Sequence, residues 1–314
     1  MQNCLAFLFA LVLFQLSVFG RTVSRVPVGK SPDFVAVNSV TNRIYVSNSG
    51  DGTVSVVDGA TNTVIATITV GGQPLGIAVN PGTNMVYVAL FAGLDSKVDV
   101  IDGRSNTVTQ TIDVPGATYL HVNPSTNLIY CSDSDNTVRV IHGTTNSVIA
   151  TVAFTNVVED LAIDVKRNLT YVAVGTVPPS VAVIDGSSLQ VSNTFSISDA
   201  QFVPGLAVDS SMNLIYASDS LRMKVFVIDG ASGTVASTID LPAADPKYVT
   251  LGVRHQIWVA DPGANQVFII NGNTQSLVGT QFIKGGPWGL AVNLRTGSVY
   301  IPSSLLKLLN VISF

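Results

Sequence analysis

One phrase returns seven times along this chain, and that periodicity limits the fold more than any single residue does. The first copy is "NRIYVSNSGDGTVSVVDGATNTVIATITVGGQP" from residue 42, and the second is "NMVYVALFAGLDSKVDVIDGRSNTVTQTIDVPG" from residue 84. An aromatic anchor stands before a pair of small residues in each copy. The anchors are Tyr45, Tyr87, Tyr130, Tyr171, Tyr216, Trp258 and Tyr300, at intervals of 42, 43, 41, 45, 42 and 42. A second landmark follows each anchor: "VVDG" at 56, "VIDG" at 100, "VIHG" at 140, "VIDG" at 183 and 227, "IING" at 269 and "VISF" at 311.

Each unit holds four short runs rich in Val, Ile, Thr and Tyr. In the second unit they are "LGIAVN", "MVYVA", "VDVID" and "TVTQTID", separated by Asn-Pro-Gly-Thr-Asn, a polar loop and Asp-Gly. These are strands and turns. No window carries a long helical period of apolar residues with caps. The run "SSLLKLLNVISF" has a helical look, but its Leu309 and Val311 align with Val54 and Val56, so its end reads as a strand. Asp58-Gly59 reads as the turn between third and fourth strands, with Gly59 at a positive φ and Asp58 bonding its own backbone.

Four strands at this period make a propeller blade, which buries its faces only against neighbouring blades. The fold class is therefore all-β: a seven-bladed β-propeller with four antiparallel strands per blade. The last unit lacks a fourth strand after Phe314. At the other end "TVSRVPVGKSPDFVAVN" (22–38) aligns with "TVIATITVGGQPLGIAVN" (63–80), so the N-terminal strand is expected to close the last blade.

Only 11% of residues are charged, against about 25% in ordinary soluble domains. Ser, Thr, Asn and Gly must cover the surface, which suits an extracytoplasmic β-protein. Residues 1–20, "MQNCLAFLFALVLFQLSVFG", read as a signal peptide whose apolar core is short for a membrane span, or else as an uncleaved anchor. The expected organisation is a signal peptide at 1–20 and one propeller domain at 21–314, secreted or periplasmic, with no membrane span once the signal is removed. Cleavage leaves Cys131 alone, with no disulfide and no cysteine metal cluster. A net charge of −4 argues against a nucleic-acid ligand. A monomer is expected.

The phrases "YVSN", "VVDG" and "TNTVIATITVGGQPLGIAVN", with their copies, resemble the YVTN-repeat β-propeller family of secreted, periplasmic and surface-layer proteins. Departures are "YCSD" at 130, "YVAV" at 171 and "YIPS" at 300. The resemblance implies the propeller. It leaves function open, because related propellers include binding proteins, subunits of periplasmic redox enzymes and an antibiotic-inactivating lyase.

In such propellers the loops into the inner strands and those between second and third strands surround one mouth of the central channel. Candidate ligand-binding residues follow from what breaks the repeat there. Tyr119, Tyr248 and Trp288, joined by Phe34, bring aromatics to the mouth, where they could stack on a ligand or plug the channel. Glu159 and Asp160 are adjacent acids that a strand would point to opposite faces; they read most simply as solvated charge. His121 stands where the other inner strands carry Ala36, Ala78, Ala162, Ala207 and Ala291, and could be a general base, a ligand or a satisfied buried histidine. His142 and His255 fall on the opposite face, so the three histidines form no common metal site. "SDSDN" at 132–136 spaces carboxylates as some calcium loops do, but lacks their Gly and distal Glu, and reads as turn chemistry.

No catalytic residue, metal site or cofactor is assigned. The expectation leans away from an enzyme: a binding or scaffold propeller that recognises a protein, glycan or small-molecule ligand at the channel mouth. The alternatives are a secreted lyase or hydrolase acting at that mouth, and a periplasmic redox-partner propeller whose cofactor lies on another subunit.

Overall fold

A computed structural model describes residues 21–242 and 245–314. The signal-peptide expectation at 1–20 lies outside the described residues. Strands β1 (Thr22–Pro27) to β28 (Leu308–Ser313) form seven four-stranded antiparallel sheets. Six blades are continuous in sequence, the first being Pro32–Asn38, Arg43–Asn48, Thr53–Asp58 and Thr63–Thr69. The seventh is composite: β1 pairs antiparallel with β28 from Thr22 opposite Ser313 to Pro27 opposite Leu308. The fold is the seven-bladed propeller, closed by its N-terminal strand.

Burial follows the sequence pattern of each strand. Second and third strands, packed by a blade on each side, are buried along nearly their whole length, as in Arg43–Asn48 and Thr53–Asp58. Outer strands such as Thr63–Thr69 are mostly exposed and bury only Ile68. All seven aromatic anchors are fully buried between blades. Among the described residues no helix is long and apolar enough to cross a membrane.

Polar locks join the blades at the ends of the inner strands. Asn38 donates to Asn84 of the next blade at 2.6 Å, Asn80 to Asn127 at 2.7 Å, Asn123 to Asn168 at 2.9 Å, and Asn293 to Asn42 at 2.8 Å. Between the fifth and sixth blades both partners change together, to Asp209 and His255, 2.5 Å apart. This bond gives His255 a structural role.

Asp58 bonds its own turn as expected, accepting from the amides of Ala60 and Thr61 at 2.8 and 3.0 Å. Gly59 does not take the positive φ expected of it. Asn62 is the left-handed residue of that turn, with φ 54°. Glycine is needed at 59 for close approach: a Cβ there would stand 2.4 Å from Asn42 Oδ1.

Cys131 is buried and unpaired, and burial pushes its thiol up to about 12. The "SDSDN" segment folds as a turn in which Asp133 accepts from the amides of Asp135 and Thr137, each at 3.0 Å, and pairs with Arg139 at 3.0 Å.

Candidate functional site

The seven inner strands run beside the axis and stack their side chains in tiers. The tier nearest the expected mouth holds Phe34, Gly76, Tyr119, Asp160, Gly205, Tyr248 and Gly289, each two residues before the repeat alanine position. The three glycines make room for their neighbours. A Cβ would lie 2.5 Å from Thr118 O at Gly76, 2.1 Å from Lys247 O at Gly205 and 2.8 Å from Asp33 O at Gly289.

That space lets the aromatic rings converge. Phe34 meets Tyr119 at 5.4 Å between centroids and Tyr248 at 5.2 Å, both edge-to-face. Tyr119 and Tyr248 are 6.2 Å apart, and the Tyr248 hydroxyl donates to the Tyr119 hydroxyl at 3.1 Å. Burial holds both phenols above the ordinary tyrosine value. Trp288 packs on Tyr248 at 6.3 Å and stays 40% exposed. The rings of Phe34, Tyr119 and Tyr248 thus touch one another across the axis and roof the channel.

Below this roof lies the alanine tier. His121 faces Tyr130 across its sheet as Ala36 faces Tyr45 and Ala162 faces Tyr171; Thr250 holds the equivalent place opposite Trp258. His121 Nε2 stands 3.3 Å from Asp160 Oδ1 on the next blade. Asp160 Oδ2 accepts the Leu206 amide, one blade further on, at 2.8 Å. Asp160 is 5% exposed, so the expectation of solvated charge is corrected. A buried carboxylate must be paired, and here an imidazole and a backbone N–H do so.

A cavity of about 350 Å³ runs down the axis from Phe34, Tyr119 and Tyr248, past His121, Asp160 and Thr250, to Leu294. Leu294 is exposed and follows the last inner strand, so the cavity opens on the face opposite the expected mouth. Its wall is apolar apart from the histidine, the carboxylate, the threonine and the two phenols.

Of the expected site residues, Tyr119, His121, Asp160 and Tyr248 come together on this cavity. Trp288 lies outside the roof. Glu159 is half-buried and is not among the cavity's lining residues; burial raises its carboxyl, against the opposing charge of Lys247. His142 and His255 are also absent from the lining. Sequence reasoning missed Thr250 and the pairing of His121 with Asp160. The column Phe-Gly-Tyr-Asp-Gly-Tyr-Gly was the available signal, since large residues alternate there with glycines. Among the described residues no group of three or more His, Cys, Asp or Glu side chains is arranged to hold a metal ion.

No curated protein matches this sequence. Among solved structures, a chain of Kuenenia stuttgartiensis hydrazine synthase has the same fold, with a TM-score of 0.82 at 17% identity over 90% of this chain and 96% of that one. That likeness is one of fold. The expectation that leaned away from an enzyme is corrected to this extent: the matched chain belongs to an enzyme, so the propeller fold itself is no argument against catalysis. That expectation rests on the lack of a convergent acid, base and nucleophile in the sequence, and a propeller draws such groups from separate blades, where no linear motif reveals them. The family model described as YNCE-like beta-propeller matches residues 14–314, and the chain belongs to that family.

Proposed function

We propose that this protein is an extracytoplasmic propeller enzyme of the lyase or hydrolase class, with His121 as its proton-transferring group in the axial cavity. The observation that carries this reading is the placement of His121 against buried Asp160. The Leu206 amide fixes the carboxylate, and the carboxylate stands 3.3 Å from Nε2. With the Nε2 proton directed at Asp160, a neutral ring keeps its lone pair on Nδ1. That nitrogen can take a proton from a water or from an acidic carbon, which begins hydrolysis in one case and elimination in the other.

The phenols supply the complementary role. Because burial raises both, Tyr119 and Tyr248 remain O–H donors in the neutral range. Tyr248 spends its proton on Tyr119, so the Tyr119 proton is free to reach a developing negative oxygen or a leaving group. A cavity of about 350 Å³ walled by alanine and valine side chains suits a compact substrate or one end of a longer one. Trp288 and Glu159 belong to the outer rim in this reading.

Location outside the cytoplasm is supported by the apolar residues 1–20 and by the low charge content. The YVTN-repeat assignment, removal of 1–20, a monomeric state and the absence of a nucleic-acid ligand belong to the same reading. A second reading, a propeller that serves a redox enzyme whose cofactor sits on another chain, is favoured by the full-length likeness to the hydrazine synthase chain.

The test is turnover across a panel of esters, lactones, glycosides and uronide polymers. His121→Asn should lower kcat by about 10²–10⁴-fold on any substrate that the wild type turns over, with an unchanged melting temperature. Glu159→Gln should have little effect. Full turnover in His121→Asn would refute the assignment.

A further inference from the structure

On the channel-opening face, between the sixth and seventh blades, three arginines line a second pocket of about 660 Å³: Arg21, Arg254 and Arg295. Its wall contains no acidic residue, in a chain whose net charge is −4. No acidic side chain among the described residues lies within ion-pair distance of any of the three. Three uncompensated guanidinium groups around one cavity repel each other, so an arrangement of this kind is stabilised by an anion.

Two further observations are independent of charge counting. Arg21 Nε is buried and has no hydrogen-bond partner among the described residues. A buried donor without an acceptor is costly unless a ligand supplies one. Its guanidinium is positioned 5.8 Å from the Trp258 ring centre and 5.6 Å from that of Phe314. Burial holds Arg21 below its usual value, a desolvation penalty that a bound anion offsets.

The second observation concerns the backbone. From Thr250 to Trp258 the sixth blade is one residue shorter than the first is from Ala36 to Tyr45. Two consecutive residues, Arg254 at φ 55° and His255 at φ 59°, turn left-handed there, where the first blade uses only Asn42. His255 takes the left-handed place that Asn42 holds in the first blade, so Arg254 is the added strained residue. This turn brings Arg254 to the pocket beside Arg295.

The geometry points to a binding site for a phosphate-class dianion, free or carried on a larger molecule, held by Arg21, Arg254 and Arg295 with Thr296 and Gln256 as neutral donors. Several guanidinium groups match the charge and oxygen count of a phosphate monoester better than those of a monocarboxylate. The volume exceeds that of inorganic phosphate and leaves room for a substituent.

The test uses the purified protein at low ionic strength in two arms: calorimetric titration with inorganic phosphate, and co-sedimentation with phosphatidylcholine vesicles containing phosphatidic acid. Saturable binding is expected in at least one arm. The double variant Arg254→Gln/Arg295→Gln should bind about tenfold more weakly or worse, because each lost contact is a hydrogen bond from a charged donor. Both side chains are exposed, so the fold should survive, as its melting temperature will report. Arg104→Gln/Arg222→Gln, which removes two exposed arginines outside the pocket, controls for net charge and should bind like the wild type. Binding in the first arm alone identifies a free anion, and binding in the second alone identifies a lipid headgroup. Absence of saturable binding in both arms, or equal binding by the double variant, would overturn the proposal.

Discussion

A variant lacking residues 21–30 should lose cooperative thermal unfolding or aggregate on purification. The deletion removes β1, all six of its paired positions with β28 and the buried side chain of Val26. Burial of Val26 alone is worth about 1.5–3 kcal/mol. The backbone pairing and ring closure lost with it take the total to a large part of the ~5–15 kcal/mol that holds a domain together. The third strand of the last blade would also become an open edge, available to other chains. Differential scanning calorimetry checks this, with Val26→Asp as a point variant that places a charge in the same buried seam. An unchanged melting curve for the deletion would mean that the ring does not depend on its N-terminal strand.

The second large effect is alkaline. All eight tyrosines are raised above their ordinary value, with burial as the leading cause in each, and Tyr87 and Tyr216 are pushed up to about 12. The folded chain therefore holds tyrosine protons that the unfolded chain releases near pH ~10. Stability from this source is complete below pH ~10 and falls as the pH rises from there toward the folded values. Each tyrosine then removes up to about 1.4 kcal/mol per pH unit, and eight acting together are enough to unfold a marginally stable domain. Tyrosinate absorbance should therefore stay low past pH ~10 and then rise in one step, coincident with loss of the far-UV circular dichroism signal. Gradual ionisation centred near pH ~10 with the sheet signal intact would show that the anchors are open to solvent.

The propeller was legible because its signals repeat. Tyr45 and its six counterparts fall in register, and the second-strand and third-strand runs are mainly apolar because each is packed on both faces. A single copy would have been ambiguous; seven copies average out departures such as Trp258 and "YIPS" at 300. Gly59 was misread for a local reason. Asp-Gly commonly marks a positive φ, but here the constraint comes from Asn42 across the blade, which no turn rule contains. The Asn-to-Asp and Asn-to-His changes at 209 and 255 look unrelated in sequence and become one hydrogen bond in the ring.

The candidate site was half legible. Tyr119, Tyr248 and His121 stand out because each breaks a column of the repeat. Asp160 was found but misjudged, because sequence shows it beside Glu159 and hides its contacts with the blades on either side. The opening of the cavity could not be read at all. Whether rings at the axis stack on a ligand or roof a chamber depends on the glycines between them, Gly76, Gly205 and Gly289, and on how closely neighbouring strands approach.

The chain has three histidines, His121, His142 and His255, so their ring nitrogens can be resolved individually by nitrogen-15 NMR in wild type and in Asp160→Asn. If His121 is set by Asp160 as a proton-transfer group, its neutral form carries the proton on Nε2. The Asp160→Asn variant should weaken that preference while leaving His142 and His255 unchanged. Compact ligands that enter the axial cavity should shift the His121 signals and leave the other two alone. A neutral His121 protonated on Nδ1, with signals indifferent to Asp160→Asn and to every compact ligand that binds the protein, would contradict the placement of the reactive centre in the channel.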